Sequence, residues 1–528
     1  MMPPTAMHAS LTRKDRIISI CLLAAVLAAL IFGIWLRKRI FDATAGSHFQ
    51  GDVRSAWLWG ESAMRYGLLD YYELNINGGP PDTSRLTDYT PLRLALATAW
   101  TRWTHRHYPE VNGWQDDYDF TFPMLTTNTI AELISSAFIF LTIWVLVRRQ
   151  RADQLGPFTG VWQALLGAML FWFNPAVLWD GHCWPQWDVW LLPFFFAAVL
   201  LASVEWWLTA GIAIAVGAFL KGQILLAAPI FILWPICAGK FGALLKFVSG
   251  FALASALIAL PWMRPSMAAI IWCGGIAALM IGLNWLAVRK RFAFNLLPAL
   301  TALALAGAIF AIIPMFGAKT AWYTVGFKHG TEKFENMMAG NGVYNVPKLL
   351  TQSLGWPRDP SQPVRVPLIG SEIPFRTSEW IIYGVCLLIC GIGAAVHARK
   401  RDVRFVAAMV APWLCFYLLL PQMHGRYGVW AAGAAALLAA IGVGPALLGL
   451  LVSIIACMGI IQNQYLFVPE YAPQVLQALQ TIDPHPVFAL LLIAGILLCL
   501  CVPIPRVAPK TEIPQRRTDW STAAGSAR

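Results

Sequence analysis

The sequence predicts an all-α polytopic membrane protein, and two properties of the chain lead to that fold class. Of its 528 residues, 58% are hydrophobic and only 12% are charged, whereas soluble domains carry about 25% charged residues. The mean hydropathy is +0.60, and the apolar residues are collected in runs of about 20, the length that crosses a bilayer. These properties exclude a series of soluble globular domains.

The apolar runs divide the chain into six parts. Residues 1–36 contain the first run, Arg16 to Leu36, which lacks a small-residue cleavage site and is therefore predicted as a retained helix. The core at 124–316 and the C-terminal region at 379–503 bring the expected total to about 12–14 transmembrane helices. The predicted spans after the first are 126–147, 158–178, 188–206, 208–220, 223–238, 244–262, 266–287, 294–316, 379–397, 404–421, 427–443, 446–463 and 485–503.

The positions of the basic residues predict the orientation. Cytoplasmic loops carry an excess of Lys and Arg, and the clusters at 13–16, 148–151, 240–246, 289–291, 399–404 and 516–517 all fall on one side when the spans alternate. Both termini are then cytoplasmic, and the net charge of +12 marks a membrane side rather than a nucleic-acid surface. The cluster Arg37 to Arg39 is an exception, because it follows the first span and would lie outside.

Two long segments are expected on the outer face, at 37–123 and 317–378. Within the first, Pro91 to Trp103 is too short and too charged to cross and is expected along the interface. We predict that the second covers the site and helps to select an acceptor. The tail at 504–528, rich in Pro, Thr, Ser and Arg, is expected to be cytoplasmic and disordered.

Cysteines and histidines give no indication of a metal or redox centre. Nine of the ten cysteines lie inside apolar runs, where they act as small hydrophobic residues. Only Cys183 falls in a polar connection, and no zinc-type spacing is present. No metal ligand and no required cofactor are therefore expected, although a divalent cation is compatible with the sequence.

Acidic residues at the predicted outer face are the first candidates for chemistry. Asp52 begins an expected amphipathic helix with Val53, Ala56, Trp57 and Met64 on its apolar face; the alternative role for Asp52 is a helix cap. Asp88 and Tyr89 lie in a polar turn that is equally typical of a helix start with Pro near its first position. Glu132 lies inside a span, where a carboxylate is costly, although it could simply bond a neighbouring helix.

Three further clusters interrupt the apolar pattern at outer helix ends. The connection 179–188 contains His182, Gln186 and Asp188, and also Trp184 and Trp187, which, like Trp57, are candidates for stacking on a sugar. Lys221, His424 and Arg426 place cations on the face where positive charge is usually depleted. Such cations favour an anion, and a lipid phosphate is the commonest one there; ion pairs with Asp188 or Glu132 are the alternative.

Taken in order, these motifs resemble those of the GT-C superfamily of membrane glycosyltransferases, in particular the bacterial branch related to dolichyl-linked glucosyl- and mannosyltransferases. The resemblance runs from the first span to about Tyr427. The matching segments are Gly51-Asp52, Asp88-Tyr89-Thr90-Pro91-Leu92, Asn174-Pro175, Trp184-Pro185-Gln186-Trp187-Asp188, Lys221-Gly222-Gln223 and Met423-His424-Gly425-Arg426-Tyr427. Thr90, Pro185, Gly222 and Gly425 depart from the family pattern, and Gly425 replaces a Glu.

The resemblance implies a GT-C fold and inverting transfer of a hexose from a polyprenyl-phosphate donor, on the outer face of a bacterial inner membrane. Asp52 would be the general base, and Lys221, His424 and Arg426 would bind the donor phosphate. The residues expected to orient sugar or acceptor are Asp88, Tyr89, Glu132, His182, Gln186 and Asp188. The acceptor, a glycan, glycolipid or protein, stays open. The alternatives are a lipid-linked sugar flippase or transporter, which would show repeat symmetry, and a diverged noncatalytic member.

Overall fold

Helices account for most of the chain in the structure, a computed structural model. It describes residues 12–44, 48, 50–77, 87–152, 156, 158–289, 296–315, 319–329, 342–353, 355, 357, 359–365, 371–467, 493, 495 and 497. The predicted tail at 504–528 and most of the predicted span at 485–503 lie outside these residues. Residues 330–341 of the predicted second outer segment, which include the polar residues Glu332, Glu335 and Asn341, also lie outside them.

Seven described helical segments are long and apolar enough to cross a membrane, and one of them is Val161–Cys183, which consists of several shorter helical elements. In chain order the helices are α1 Arg13–Ala43, α2 Gln50–Tyr66, α3 Tyr71–Ile76, α4 Pro91–His107, α5 Tyr118–Gln150, α6 Val161–Trp172, α7 Pro175–Leu178, α8 Leu192–Ser203, α9 Trp207–Leu220, α10 Ile224–Ala227, α11 Ile230–Cys237, α12 Phe241–Met263, α13 Met267–Arg289, α14 Leu297–Met315, α15 Ala321–Tyr323, α16 Val346–Ser353, α17 Phe375–Lys400, α18 Phe405–Leu419, α19 Gly428–Ala435 and α20 Val443–Phe467. The multi-pass all-α membrane class predicted from the sequence is therefore supported.

Several predicted spans are interrupted helices. The span at 158–178 breaks at Asn174, whose side-chain oxygen accepts hydrogen bonds from the backbone N–H groups of Ala176 and Val177 and so caps α7. The Asn174 amide also donates to the Ala432 carbonyl at 3.1 Å and to Ser453 Oγ at 2.7 Å. One polar residue thus starts a new helix and joins it to the C-terminal helices.

The first helix and the first outer segment differ from expectation in two places. Helix α1 continues to Ala43, well beyond the predicted end at Leu36, and Arg37 is buried in the fold rather than placed in an outer loop. Met64 was expected on the apolar face of α2 with Val53, Ala56 and Trp57, but it is 38% exposed while those three are buried. The buried face continues through the smaller Ala63 instead.

Helices α2 and α4 form a tightly packed pair beside the membrane helices. A Cβ atom at Gly60 would collide with the Ala97 carbonyl and with Thr101 Oγ1, so glycine is required for this approach. The Thr101 hydroxyl donates to the Trp57 carbonyl, and the Trp57 indole N–H donates to Thr104 Oγ1 at 2.9 Å. Pro91 is the first residue of α4, as expected for a helix start.

The second outer segment contributes a turn and a small hairpin. A turn of π-helix at Thr324–His329 packs on the first outer segment, since a Cβ at Gly326 would approach Thr90 Cα to 3.0 Å. Further along, Pro363–Arg365 and Glu372–Pro374 pair as antiparallel strands. Asn345 is buried and donates to the Leu420 carbonyl at 3.2 Å. The described parts of this segment therefore lie against the connections that carry the predicted motifs.

Candidate functional site

Asp52 lies in the first turn of α2, and its carboxylate is ion-paired with Arg426. The Arg426 Nη1 donates to Asp52 Oδ2 across 374 residues of sequence. The Asp52 side chain remains 34% exposed, whereas that of Arg426 is 10% exposed. The contact favours a role for Asp52 as the partner of a distant cation over the alternative role of a helix cap. One side of the Asp52 carboxylate stays open.

Arg426 brings three further predicted residues to Asp52. The same Nη1 atom donates to Gln186 Oε1 at 3.0 Å, and the Nε atom lies 3.5 Å from Asp188 Oδ2. Asp188 also forms an ion pair with Lys221, and both side chains are buried. We call Asp52, Gln186, Asp188, Lys221 and Arg426 the open cluster. For Lys221 the sequence allows either phosphate binding or an ion pair with Asp188, and the structure contains that ion pair.

The connections that carry these residues are short interrupted helices. Trp179–Cys183 forms a π-helical turn, and Asp188–Leu191 and Gly425–Tyr427 form 3₁₀ turns. Asn128 of α5 holds the first connection, because its amide donates to the carbonyls of Gly181 and Gln186, each at 2.8 Å. Sequence reasoning did not select Asn128; a polar residue one turn from Glu132 on the same helix was the available signal.

Asp88, Tyr89 and His424 lie around the open cluster. The Tyr89 ring packs 5.2 Å from that of Trp59 and 5.8 Å from that of Trp187, and the His424 ring lies edge-on to Tyr427 at 5.4 Å. Asp88 lies near enough to Tyr427 for its charge to act on the pKa of Tyr427, and His424 lies near enough to Asp52 to act on the pKa of Asp52. The structure thus brings eight of the ten predicted site residues into one region.

Glu132 and His182 belong to a different cluster. Glu132 Oε2 accepts from Arg37 Nε at 2.6 Å, and Glu132 Oε1 lies 3.2 Å from His182 Nε2. The remaining Arg37 nitrogens donate to the carbonyls of Gly33 and Trp172, each at 2.9 Å. We call Arg37, Glu132 and His182 the closed cluster, since each side chain is at most 3% exposed. This arrangement favours the interhelical alternative for Glu132, and its orienting role stays a prediction.

The three tryptophans that are candidates for stacking on a sugar are buried against other residues of the protein. Trp57, Trp184 and Trp187 are at most 2% exposed. Trp57 lies between α2 and α4, beside Phe120, and Trp187 covers the guanidinium of Arg93. Their aromatic faces are used for packing, so a sugar would have to meet other side chains.

Arg93 is a buried cation that sequence reasoning missed as a site residue. Its guanidinium carbon lies 3.3 Å from the ring centroid of Tyr89 and 3.5 Å from that of Trp187, between the two rings. None of its three guanidinium nitrogens has a hydrogen-bond partner among the described residues. The only sequence signal was an arginine within an interfacial apolar stretch.

The electrostatics of the site keep Asp52 ionised. Burial would raise the pKa of Asp52, but the charges of Arg426, Arg93 and His424 outweigh burial and hold that pKa below its ordinary value. Burial likewise opposes the charge on Arg426, yet Asp52 raises the pKa of Arg426 above its ordinary value. Burial lowers the pKa of Arg93 to about 9, so its charged form would gain from an anion.

No metal centre is evident in the part of the chain that the structure describes, where no three His, Cys, Asp or Glu side chains lie close enough to share an ion. Neither the known protein-family models nor the curated proteins contain a match to this chain. We therefore infer function from the motifs and from the geometry of the two clusters.

An apolar groove adjoins the open cluster. It encloses about 300 Å³ between α2, α4, α5 and the connection before α8. Its lining includes Trp59, Tyr89, Arg93 and Trp187 at a buried end, and Leu96 and Phe122 at an exposed end. Arg93 is thus the charged side chain in a mostly apolar described lining, whose other polar members include Thr87, Thr126 and Thr127.

Proposed function

We propose that the chain is a membrane glycosyltransferase of GT-C type that moves a hexose from a polyprenyl-phosphate donor to an acceptor hydroxyl. The observation that carries the proposal is the contact between Asp52 and Arg426. It places a partly exposed carboxylate, suited to accept a proton, directly beside a cation suited to bind a phosphate. Both residues also lie in motifs that resemble those of this superfamily.

The proposed reaction is a single displacement with inversion. Asp52 takes the proton from the acceptor hydroxyl while that oxygen attacks the anomeric carbon. The bond between the anomeric carbon and the phosphate oxygen breaks, and its electron pair leaves with the polyprenyl phosphate. Because that phosphate is a stable anion, a proton donor is not needed, and Arg426, assisted by His424 and Lys221, stabilises its charge.

The ion pair itself supplies a means of coupling binding to chemistry. A donor phosphate would compete with Asp52 for the Arg426 guanidinium, and Asp52 would lose the partner that lowers its pKa. The carboxylate then becomes a stronger base only when the donor is present. Asp188 would keep Arg426 in place meanwhile, since it lies on the Nε side of the guanidinium.

The departures from the family pattern are compatible with activity. Gly425 removes a Glu beside Arg426, but Asp52 and Asp188 already provide two carboxylates for that arginine. Gly222 and Thr90 both lie against the turn Thr324–His329, where a Cβ on Gly222 would meet Phe327 at an ordinary 3.4 Å. The exchanges at Gly222 and Thr90 therefore alter contacts with the second outer segment and leave the charges of the open cluster unchanged.

Location and partners are part of the same proposal. We infer a bacterial inner membrane, cytoplasmic termini and a site on the outer face, because the basic clusters fall opposite the motif connections. The acceptor would approach Asp52 from its exposed side, beneath the second outer segment. The donor would arrive from the bilayer.

Transfer of label from a polyprenyl-phosphate hexose tests this function. We expect membranes containing the wild-type chain to move labelled sugar into a product, and Asp52→Asn to reduce the rate about 10²–10⁴-fold, the usual contribution of a general base. Glu61→Gln is the matched control, since Glu61 lies on the same helix and pairs only with Arg65 among the described residues. It should retain transfer.

The two alternatives give different results in that assay. A flippase or transporter would move the labelled lipid between leaflets without forming a new glycosidic bond. A noncatalytic member would bind donor without turnover. Equal transfer by the wild type and Asp52→Asn would remove Asp52 from the mechanism.

A further inference from the structure

The groove between α4 and α5 contains the guanidinium of Arg93, on which the charges of Asp88 and Asp52 act but to which no described residue is hydrogen-bonded. Arg93 is 3% exposed, and none of its nitrogens is hydrogen-bonded to a described residue. Buried guanidinium groups are otherwise paired, because an unpaired buried charge is costly. The two flanking aromatic rings compensate part of that cost through cation–π contacts, but they satisfy none of the N–H donors.

The groove is open to the side of the molecule that meets lipid. At its outer end Leu96 is 38% and Phe122 is 43% exposed. The adjoining surface of α5 continues with exposed Ile130, Leu133 and Ile134. Exposed apolar side chains on a membrane-crossing helix face hydrocarbon, so a lipid chain can enter this groove without crossing water.

The buried end of the groove leads to the open cluster. Ala56 lines the groove and lies one turn after Asp52 on the same face of α2, about 6 Å along the helix axis. A molecule with its chain in the groove and its phosphate bound by both Arg93 and Arg426 would therefore present the group attached to that phosphate to Asp52. From the exposed end of the groove inwards, the protein would contact first the apolar chain, then the anion and last the reacting centre of the ligand.

We propose that this groove binds the first isoprene units of a polyprenyl monophosphate and that Arg93 is the cation that receives its phosphate. The inference rests on the proposed function for the choice of lipid. A single chain suits the enclosed volume of about 300 Å³, at the lower end of ligand cavities, whereas the two tails of a phospholipid do not. It adds a phosphate contact on α4 to those expected from Lys221, His424 and Arg426.

Photolabelling tests the groove without requiring sugar transfer. The probe is a polyprenyl monophosphate with a diazirine near the phosphate, added to the full chain in phosphatidylcholine nanodiscs. We expect label on peptides from Pro91–His107 and Tyr118–Gln150, and protection by unlabelled polyprenyl monophosphate. Polyprenol, which lacks the anion, should protect about tenfold less well, as expected for loss of a charge-assisted hydrogen bond.

Two variants with matched controls separate the contributions of charge and space. Arg93→Gln should lower labelling about tenfold or more, whereas Arg102→Gln, an exposed arginine on the same helix, should not change it. Ala99→Trp fills the groove, because Ala99 lines it and is exposed, and should block labelling even if Arg93→Gln proves unstable. Ala304→Trp, at an exposed position on α14, is the control for the added bulk.

Three results would overturn the inference. These are label outside α4 and α5, equal labelling of Arg93→Gln and Arg102→Gln, and equal protection by phosphatidic acid, which would assign the groove to membrane phospholipid. Labelling of the groove in a chain that transfers no sugar would contradict the proposed function and leave the lipid site standing. Transfer with label elsewhere would do the reverse.

Discussion

The open and closed clusters are both groups of charged side chains inside the same helical fold, but they differ in how completely their charges are paired. In the closed cluster Glu132 is shared by Arg37 and His182, and the other Arg37 donors reach backbone carbonyls. In the open cluster Asp52 is 34% exposed, and the nearby Arg93 has no hydrogen-bond partner among the described residues. Complete pairing is typical of a structural contact, and incomplete pairing indicates a place for a ligand.

The basic cluster Arg37 to Arg39 shows a similar contrast between a buried charge and an exposed one. The charge pattern of the sequence places the consecutive residues Arg37, Lys38 and Arg39 together outside the first span. In the structure Arg37 is buried against Glu132, while the Lys38 side chain is 51% exposed and pairs with Asp42. Charge patterns identify the side of a membrane, but they do not show which member of a cluster is used inside the fold.

Loss of one partner from the closed cluster should produce the largest change. Arg37→Met leaves Glu132 buried without its main cation, and breaking a buried pair costs about 3–5 kcal/mol of the free energy of unfolding. We expect a clear fall in the thermal midpoint in detergent, with His182 giving partial compensation. Lys38→Met is the control and should leave the midpoint unchanged; equal midpoints for the two variants would contradict the structural role of the closed cluster.

Arg426→Gln should give the next largest effect, and it should appear in turnover. Removing one preorganised donor to a developing anion costs about 10²–10³-fold in rate, so we expect a loss of transfer of that size. The measurement is the initial rate at saturating donor, with the thermal midpoint taken alongside. A folded Arg426→Gln protein with normal transfer would show that Arg426 does not stabilise the leaving phosphate.

Gly60→Ala should have a smaller effect, which arises from spacing. The added methyl group collides with Ala97 and Thr101 of α4, and overpacking of this kind costs about 1–3 kcal/mol. Because α2 carries Asp52, the shift should lower transfer as well as the thermal midpoint. Ala63→Gly, on the same buried face, removes bulk instead, and it should lower the midpoint without a specific loss of turnover.

The pH dependence of transfer should change in a definite direction. Arg426 holds the pKa of Asp52 below its ordinary value against the opposing effect of burial, so the protein without donor should keep Asp52 ionised as the pH falls until that lowered pKa is passed. In Arg426→Gln the charge that opposes burial is gone, so the pKa of Asp52 should rise. The acid limb of kcat/KM should therefore move to higher pH. An acid limb at the same pH in both proteins would separate Asp52 from Arg426 in the mechanism.

The sequence predicted the parts of this molecule that depend on local composition. Runs of apolar residues predicted where helices lie, although α1 and α5 extend beyond the predicted spans and the span at 158–178 is interrupted. The motif residues that lie together are Asp52, Gln186, Asp188, Lys221 and Arg426. Asn174-Pro175 marked a real interruption, because capping and proline act on the nearest helical turn. Such local signals are readable without knowledge of the fold.

Features that depend on distant packing were not predictable. Arg93 lies between Tyr89, four residues away, and Trp187, which belongs to another connection. Nothing near Arg93 in the sequence indicates that its nitrogens form no hydrogen bond with a described residue. Arg37, the cation that pairs with Glu132, likewise belongs to the distant first helix. Each of these contacts is set by how helices pack, and each decides whether a charge is structural or available to a ligand.

The most direct test measures sugar transfer and thermal midpoint together for Asp52→Asn and Glu132→Gln. If the open cluster is the site and the closed cluster is structural, Asp52→Asn loses transfer about 10²–10⁴-fold with an unchanged midpoint. Glu132→Gln then lowers the midpoint, while the folded protein still transfers sugar. Equal loss of transfer in the two variants, with equal midpoints, would contradict the division between the clusters and support an orienting role for Glu132 instead.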